Sequence, residues 1–210
     1  MKDEGYIKFD CTWIEQELPD KQIANKLNVW RQKLYNQELI GVYADGIGYG
    51  NISCRLPDDT FLISGTATGN IKQLTDVHYT RVTSFNIVNN SLTCKGPIKA
   101  SSESLTHAII YKTLPEVNAV VHIHHHDLWR KLLNKVATTS PKVAYGTPEM
   151  ALEISRLLKS ANAIDKKILV MAGHEDGLIA YGENLGEAAN NLLRHPELLP
   201  SGRHSGSGPH

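Results

Sequence analysis

Residues 117–122 form an apolar run in which Val117, Ala119, Val120 and Val121 follow one another without regular polar alternation. A strand with one face in water alternates apolar and polar side chains, whereas a strand without alternation is buried on both faces. Residues 168–171 and 178–181 have the same character. The chain is therefore predicted to fold around a sheet that other elements cover.

The segments around these strands indicate helices mixed with strands that tight turns connect. The apolar residues Ile23, Leu27, Trp30 and Leu34 recur at helical spacing, and Asn89-Asn90 is a reasonable hairpin turn. Helices are predicted at 20–37, from Ser101 or Ser102 to Leu114, from Asp127, from Thr147-Pro148 and from Asn184 to Leu193, and further strands at 40–44, 51–56, 61–64, 78–88 and 91–95. This order favours an α/β fold with a mixed, largely antiparallel sheet.

Three of these helices carry recognisable start signals. Ser101 or Ser102 is expected to be the N-cap residue of its helix, with Glu103 in the first turn. Thr147 is a capping residue followed by a proline at the first helical position. The sequence Asn184-Leu185-Gly186-Glu187 is typical of a capping box.

Charge and composition exclude several classes of function. The 22 basic and 22 acidic residues balance, and no basic tract predicts binding to nucleic acid. No run of 18 apolar residues could span a membrane, and the start Met1-Lys2-Asp3-Glu4 is not that of a signal peptide. The three separate cysteines are typical of reduced thiols, so we expect a cytoplasmic protein.

The length fits one domain, which we place at residues 1–198. Residues 199–210 are low in complexity and are expected to be a disordered tail. For that reason His204 and His210, which lie in this tail, are not counted as candidate ligands.

His122 and His124 are two residues apart at the end of the predicted buried strand. Residues at this spacing point to the same face of a strand. Two neutral imidazoles on one face can bind a single divalent ion such as zinc. His125 or His126 could replace His124 as a ligand, and four histidines in five positions could also be a feature of composition alone.

A catalytic zinc ion usually has three protein ligands and one open position. The best third candidate is His174, which follows the predicted strand 168–171 and precedes Glu175 and Asp176. These carboxylates could orient an imidazole. Alternatively, His174 could simply occupy a turn.

Three stretches could hold a phosphate or carboxylate group. Residues 48–53 are rich in glycine, and residues 64–69 are small and rich in hydroxyl groups. Ser101, Ser102 and Glu103 stand at a predicted helix start, where exposed N–H groups attract anions. Each stretch could equally be an ordinary turn or cap.

The order of these motifs resembles that of the class II aldolase/adducin family, over roughly residues 25–194. The matching motifs are Gly50-Asn51-Ile52-Ser53, Ser64-Gly65 with Thr68-Gly69, Lys99-Ala100-Ser101-Ser102-Glu103, Ala119-Val120-Val121-His122-Ile123-His124, and Gly173-His174 with Gly177-Leu178-Ile179. The family includes fuculose-phosphate and rhamnulose-phosphate aldolases, ribulose-phosphate 4-epimerases, methylthioribulose-phosphate dehydratases and the non-catalytic adducins.

The resemblance implies a three-layer α/β/α domain with a central, mostly antiparallel sheet, assembled as a homotetramer. It implies that zinc or another divalent metal binds to His122, His124 and His174, and that Glu103 is the catalytic acid/base. It also implies that the substrate phosphate is held by five residues: Asn51, Thr68, Gly69, Ser101 and Ser102.

The activity implied is a zinc-dependent lyase that cleaves a small phosphorylated ketose by a reversible aldol reaction. The metal would stabilise the enediolate formed on cleavage, while Glu103 would move the proton. An epimerase, a dehydratase, a decarboxylase or a non-catalytic scaffold of the adducin type is the alternative.

Two features of the sequence depart from the sugar-phosphate aldolases of this family. Glu175 and Asp176 separate His174 from Gly177, so Asp176 is a rival third ligand unless the chain bulges. The tyrosine that serves those aldolases as an acid has no clear counterpart, and Tyr145 is the only tyrosine nearby.

Overall fold

The computed structural model describes residues 6–198, in which a nine-stranded sheet lies between two layers of helices. The helices are α1 (Lys21–Asn36), α2 (Ser104–Thr113), α3 (His126–Leu132), α4 (Pro148–Leu157), α5 (Ala161–Lys166) and α6 (Leu185–Leu193). The strands are β1 (Asp10–Glu15), β2 (Gly41–Val42), β3 (Gly48–Tyr49), β4 (Asn51–Arg55), β5 (Phe61–Ser64), β6 (Tyr79–Asn86), β7 (Ser91–Gly96), β8 (Ala119–His124), β9 (Ala137–Thr138), β10 (Ile168–Val170) and β11 (Gly177–Gly182). The expected tail at 199–210 lies outside the described residues, as do residues 1–5 of the expected domain.

The sheet is mostly antiparallel, and its strand order is β1-β7-β6-β5-β4-β8-β11-β10-β9. Its two outermost pairs, β1 with β7 and β9 with β10, are parallel. All the pairs between them are antiparallel. The short strands β2 and β3 form a separate ribbon. The predicted three-layer α/β/α fold is confirmed.

Strand β8 lies in the middle of the sheet, and its position explains its apolar sequence. Val120 packs into the core that α2, α4 and α5 cover, whereas Val121 packs into the core beneath α1, α3 and α6. Both faces of the strand are therefore buried. His122 and His124 continue the series begun by Val120 and face the side on which α2 lies.

Two of the expected helix starts are present. The Thr147 hydroxyl accepts a hydrogen bond from the Met150 N–H, with Pro148 at the first position of α4. The side chain of Asn184 caps α6 by accepting from the Glu187 N–H. The Glu187 carboxylate accepts from the Glu183 N–H instead of the Asn184 N–H, so only half of the predicted capping box forms.

The start expected for α2 is wrong by one or two residues. The helix begins at Ser104, and Glu103 is its N-cap residue without a side-chain capping bond. Ser101 accepts a weak hydrogen bond from the Glu103 N–H, with 3.4 Å between the heavy atoms. The serines therefore form the turn that leads into the helix, and Glu103 stands at its entrance.

Four elements were not predicted, namely β1, β3, β9 and α5. The strand expected at 40–44 is reduced to the two residues of β2, while that at 78–88 becomes β6. Among the described residues, no helix combines the length and the apolar character needed to cross a bilayer.

Candidate metal centre and active site

His122 and His124 point from the end of β8 into one buried site. Their Nε2 atoms lie 3.1 Å apart, and both side chains are almost completely buried. Two nitrogens bound to one tetrahedral zinc ion at 2.0–2.1 Å would be separated by about 3.3 Å. The pair therefore has the spacing that a single metal ion requires.

The outer nitrogens of these two histidines are held by the surrounding protein. His122 Nδ1 lies 3.1 Å from the Leu178 carbonyl oxygen, and His124 Nδ1 lies 2.6 Å from the Tyr43 hydroxyl. The carbonyl can only accept, so the Nδ1–H of His122 donates to it and leaves Nε2 with a lone pair. Burial and the neighbouring histidines hold the pKa of His122 well below its ordinary value, which keeps the ring neutral. A neutral ring is the form that binds a metal.

His174 reaches the same site from the turn between β10 and β11. Its ring centroid is 5.2 Å from that of His122 and 4.7 Å from that of His124. The three histidines offer ligand atoms that all lie within 4.8 Å of one another. The structure thus brings together the three predicted metal ligands.

The local bulge that this arrangement requires is present. The His174 N–H donates to the Met171 carbonyl, and the Gly177 N–H donates to the His174 carbonyl. Asp176 adopts a left-handed conformation with φ of 67°, which lets the two additional residues turn back before Gly177. A side chain at Gly173 would collide with the Val143 carbonyl oxygen, so the turn packs closely against its neighbour.

The rival ligands point elsewhere. The Asp176 carboxylate lies 2.7 Å from His126 Nδ1, and these two residues form a separate, more exposed group with Glu175. His125 accepts a hydrogen bond from the Leu128 N–H and caps α3. Of the histidines at 122–126, His122 and His124 therefore belong to the buried site, whereas His125 and His126 lie outside it.

Glu103 lies beside the histidines at the entrance of α2. Its Oε1 atom is 3.6 Å from His174 Nδ1, and its side chain is 3% exposed. A carboxyl group in this position can exchange a proton with a molecule bound at the site.

The five residues predicted to hold a phosphate line one pocket with Glu103 and His122. The pocket has a volume of about 380 Å³ including its open mouth. It is lined by Gly48, Tyr49, Gly50, Asn51, Gly65, Thr66, Ala67, Thr68, Gly69, Ser101, Ser102, Glu103 and His122. Strand pairing places Asn51 directly opposite His122, and the buried Asn51 Oδ1 has no hydrogen-bond partner among the described residues. A polar atom of this kind is available to a ligand.

Two aromatic neighbours of the site were not predicted from the sequence in these roles. The Tyr43 hydroxyl bonds to His124, and the Tyr145 ring stacks on His174 with centroids 4.5 Å apart. The Lys8 ammonium group lies 3.9 Å from the centre of the Tyr145 ring. No local pattern marks Tyr43, because its contact joins residues 81 positions apart.

Comparisons with known proteins identify the family of this chain. Residues 42–199 match the Class II Aldolase and Adducin N-terminal domain. The chain is 26% identical over 166 residues to the 3-oxo-tetronate 4-phosphate decarboxylase of Haemophilus influenzae, an alignment that covers 69% of this chain and 71% of that protein.

Several solved structures share the fold. The YgbL protein of Escherichia coli aligns with a TM-score of 0.61 at 21% identity, over 83% of this chain and 84% of that one. An L-fuculose 1-phosphate aldolase aligns with a TM-score of 0.64 at 18% identity, over 83% of this chain and 81% of that one.

Proposed function

Because the chain belongs to the class II aldolase and adducin family, we propose that it is a metal-dependent lyase. It cleaves a carbon–carbon bond next to the carbonyl group of a small phosphorylated ketose, in a reversible aldol reaction. The observation that carries this proposal is the meeting of three buried histidines next to one buried carboxyl group, that of Glu103. Glu103 and His122 line one pocket together with three hydroxyl- and glycine-rich segments.

His122, His124 and His174 would hold zinc or another divalent metal. Three imidazoles suit such an ion, and a fourth position would stay open for the substrate. A bound ion supplies a Lewis acid that stabilises negative charge developing on substrate oxygens. The residues around the ligands keep the nitrogens correctly aimed, through the Leu178 carbonyl and the Tyr43 hydroxyl.

Glu103 is the acid/base of the proposed reaction. In the cleavage direction its carboxylate accepts the proton of the substrate hydroxyl as the carbon–carbon bond breaks. The same carboxyl group then gives the proton to the carbon atom of the ketone fragment from which the aldehyde has separated. Its burial next to His174 excludes water from this transfer.

The phosphate group of the substrate is assigned to the other end of the pocket. Asn51, Thr68, Gly69, Ser101 and Ser102 offer amide, hydroxyl and backbone donors there. The hydroxyl of Thr68 donates to the Gly65 carbonyl, and this bond fixes the loop that would surround the anion. The reacting carbons would then lie between the phosphate and the histidines.

Decarboxylation of a phosphorylated 3-oxo acid is the second candidate, favoured by the likeness to the Haemophilus influenzae decarboxylase. The two reactions both leave negative charge beside a carbonyl group, so the same residues suit either. Epimerase or dehydratase chemistry would also use this site. A non-catalytic scaffold is disfavoured because it has no need for three convergent, buried imidazoles.

Product analysis with the zinc-loaded protein tests the proposal. The protein is incubated with a panel of ketose phosphates and of phosphorylated 3-oxo acids, and the products are identified by NMR and by carbon dioxide release. We expect an aldehyde and a three-carbon ketone phosphate from at least one ketose phosphate. Carbon dioxide release without aldehyde establishes the second candidate, and no reaction with either class contradicts the lyase.

The tetrameric assembly and the cytoplasmic location expected from the sequence stay predictions. Light scattering coupled to size-exclusion chromatography measures the first, and cell fractionation measures the second.

A further inference from the structure

The pocket assigned to the substrate phosphate contains no cationic side chain at its surface. Of the described residues that line it, none is a lysine or an arginine. A phosphate monoester carries a charge of about −1.5 to −2 at neutral pH. Hydroxyl and amide donors orient such an anion, but the structure must also supply positive charge if binding is to be strong.

Arg31 is a buried cation that forms hydrogen bonds to the wall of this pocket. It lies on α1 and is 2% exposed. Its Nη2 atom donates to the carbonyls of Thr68 (3.1 Å) and Gly69 (3.4 Å), and Nη1 donates to the carbonyl of Lys72 (3.0 Å). Its guanidinium group also stacks on the Tyr35 ring at 4.4 Å.

In the described part of the chain, Arg31 forms no ion pair with a carboxylate. A buried guanidinium group without a counter-ion is costly, and backbone carbonyls compensate it only in part. The charge of Arg31 is therefore not neutralised by a neighbouring carboxylate. Its electrostatic field extends through the loop that contains Thr68 and Gly69.

This loop lies between Arg31 and the pocket. In a planar trans peptide the C=O and N–H groups point in opposite directions. The Thr68 carbonyl points to Arg31, so the N–H of Gly69 points away from Arg31, and both Thr68 and Gly69 line the pocket. A hydrogen bond to the carbonyl polarises the peptide and makes its N–H a stronger donor.

The loop that contains Thr68 and Gly69 is too closely packed to accept a larger residue at Gly69. A Cβ atom at Gly69 would lie 2.2 Å from the Gly41 carbonyl oxygen and 2.8 Å from the Gly48 Cα. Ala67, two residues earlier, is held in the left-handed region with φ of 55°. Arg31 thus supports a closely packed and locally strained segment.

We propose that Arg31 is the positioning residue and the electrostatic support of the phosphate subsite. It acts through the peptide between Thr68 and Gly69 without touching the substrate. The inference deepens the proposed function and rests on its assignment of the phosphate to this pocket.

The test measures binding of inorganic phosphate to the zinc-loaded protein by isothermal titration calorimetry. The variants are Arg31→Met, which removes the charge at similar length, and Arg31→Lys, which keeps it. We expect phosphate affinity to fall by about tenfold or more in Arg31→Met. We expect Arg31→Lys to recover most of it, because its ammonium group keeps the charge and can donate to the Thr68 carbonyl. A role that depends only on the packing of the planar guanidinium group would be lost in both variants.

Arg55 provides a matched control. It also donates to three backbone carbonyls, those of Tyr111, Leu114 and Val117, but it lies four residues from Asn51 along β4, about 13 Å from the pocket. Arg55→Met should lower the melting temperature and leave phosphate affinity unchanged. Zinc content and melting temperature are recorded for every variant, so a folding defect is visible.

Each outcome decides the inference. Equal phosphate affinity in folded Arg31→Met and wild type overturns it, and so does an equal loss in Arg31→Lys and Arg31→Met. A wild type that does not bind phosphate overturns it as well. If Arg31→Met does not fold, Arg31→Lys alone decides the question. A phosphate affinity equal to that of the wild type then supports a role of the charge, whereas a tenfold loss of phosphate affinity contradicts it. A wild type that binds zinc and phosphate but cleaves no substrate contradicts only the lyase.

Discussion

Glu103 is the residue on which the proposed chemistry depends most directly. Its carboxyl group is buried 3.6 Å from His174, and a glutamine in its place keeps the shape but cannot accept a proton. We expect Glu103→Gln to lower kcat by about 100-fold or more, the usual contribution of general acid–base catalysis. Steady-state kinetics with the substrate from product analysis measures this loss.

The exposed residue Glu116 gives a matched control for that substitution, because it lies at the opposite end of β8. Glu116→Gln should be as active as the wild type. Zinc content measured by mass spectrometry should be the same in all three proteins. An unchanged rate in Glu103→Gln would remove this residue from the mechanism.

Tyr43 holds His124 through a single hydroxyl group. Tyr43→Phe removes this partner of Nδ1 while it keeps the aromatic ring next to Tyr49. Loss of such an outer partner typically weakens metal binding by about 10–100-fold. Competition with a chromophoric chelator measures the zinc affinity.

The neighbouring ring of Tyr49 serves as the comparison, since its hydroxyl donates to the Glu38 carbonyl. We expect Tyr49→Phe to keep the zinc affinity of the wild type. Equal affinities in Tyr43→Phe and the wild type would show that the hydroxyl does not position His124.

Single residues could be predicted where the signal was local. His122 and His124 share a strand face, so their spacing alone predicted that they meet. Tyr43 and Arg31 gave no such signal, because their partners lie far along the chain. Arg31 looks like a polar residue of an amphipathic helix, and only the packing of α1 against the loop at Thr68 shows that it is buried.

At the scale of elements, predictions succeeded where burial and caps are encoded locally. The strands β8, β10 and β11 were recognisable from apolar runs, and α4 from its capping threonine and proline. Strand β1 was missed because it pairs in parallel with β7, some 80 residues away, at the edge of the sheet. None of its residues is buried, and its sequence lacks the turn signals that marked the hairpins.

The turn between β10 and β11 decides whether His174 reaches the other two histidines. In Gly173→Ala, the added methyl group would lie 1.9 Å from the Val143 carbonyl oxygen, so the turn must shift. Overpacking of this kind costs about 1–3 kcal/mol of stability. We therefore expect a lower melting temperature in calorimetry, together with weaker zinc binding.

Gly186→Ala is the matched control for this substitution. It lies in α6, where alanine is favoured and the nearest atom would be 3.2 Å away. Its zinc affinity should equal that of the wild type. If Gly173→Ala also kept the wild-type affinity, the close packing of the turn would not be what places His174.

At the scale of the whole molecule, the order of the strands in the sheet brings the residues of the site together. It lies at one end of the central strands, where β4 and β11 begin and β5 and β8 end. The segment that leads into α2 reaches the same end of the sheet through a bridge between Gly65 and Ala100. Five distant segments of chain therefore contribute to one pocket. The order of motifs predicted their family, but only the strand register shows that Asn51 faces His122.

A metal ion at this place would join the centre of the sheet to the β10–β11 turn, and its removal should weaken the whole fold. A ligand that binds only the folded state stabilises it by about 4 kcal/mol when its free concentration is 1,000 times the Kd. For a protein of this size, that corresponds to a shift in melting temperature of roughly 8–16 °C. We expect dialysis against a chelator to lower the melting temperature by such an amount, and added zinc to restore it. His122→Ala should show the low melting temperature with and without zinc, whereas a wild type whose melting temperature does not respond to chelation or to zinc would contradict a metal site at the three histidines.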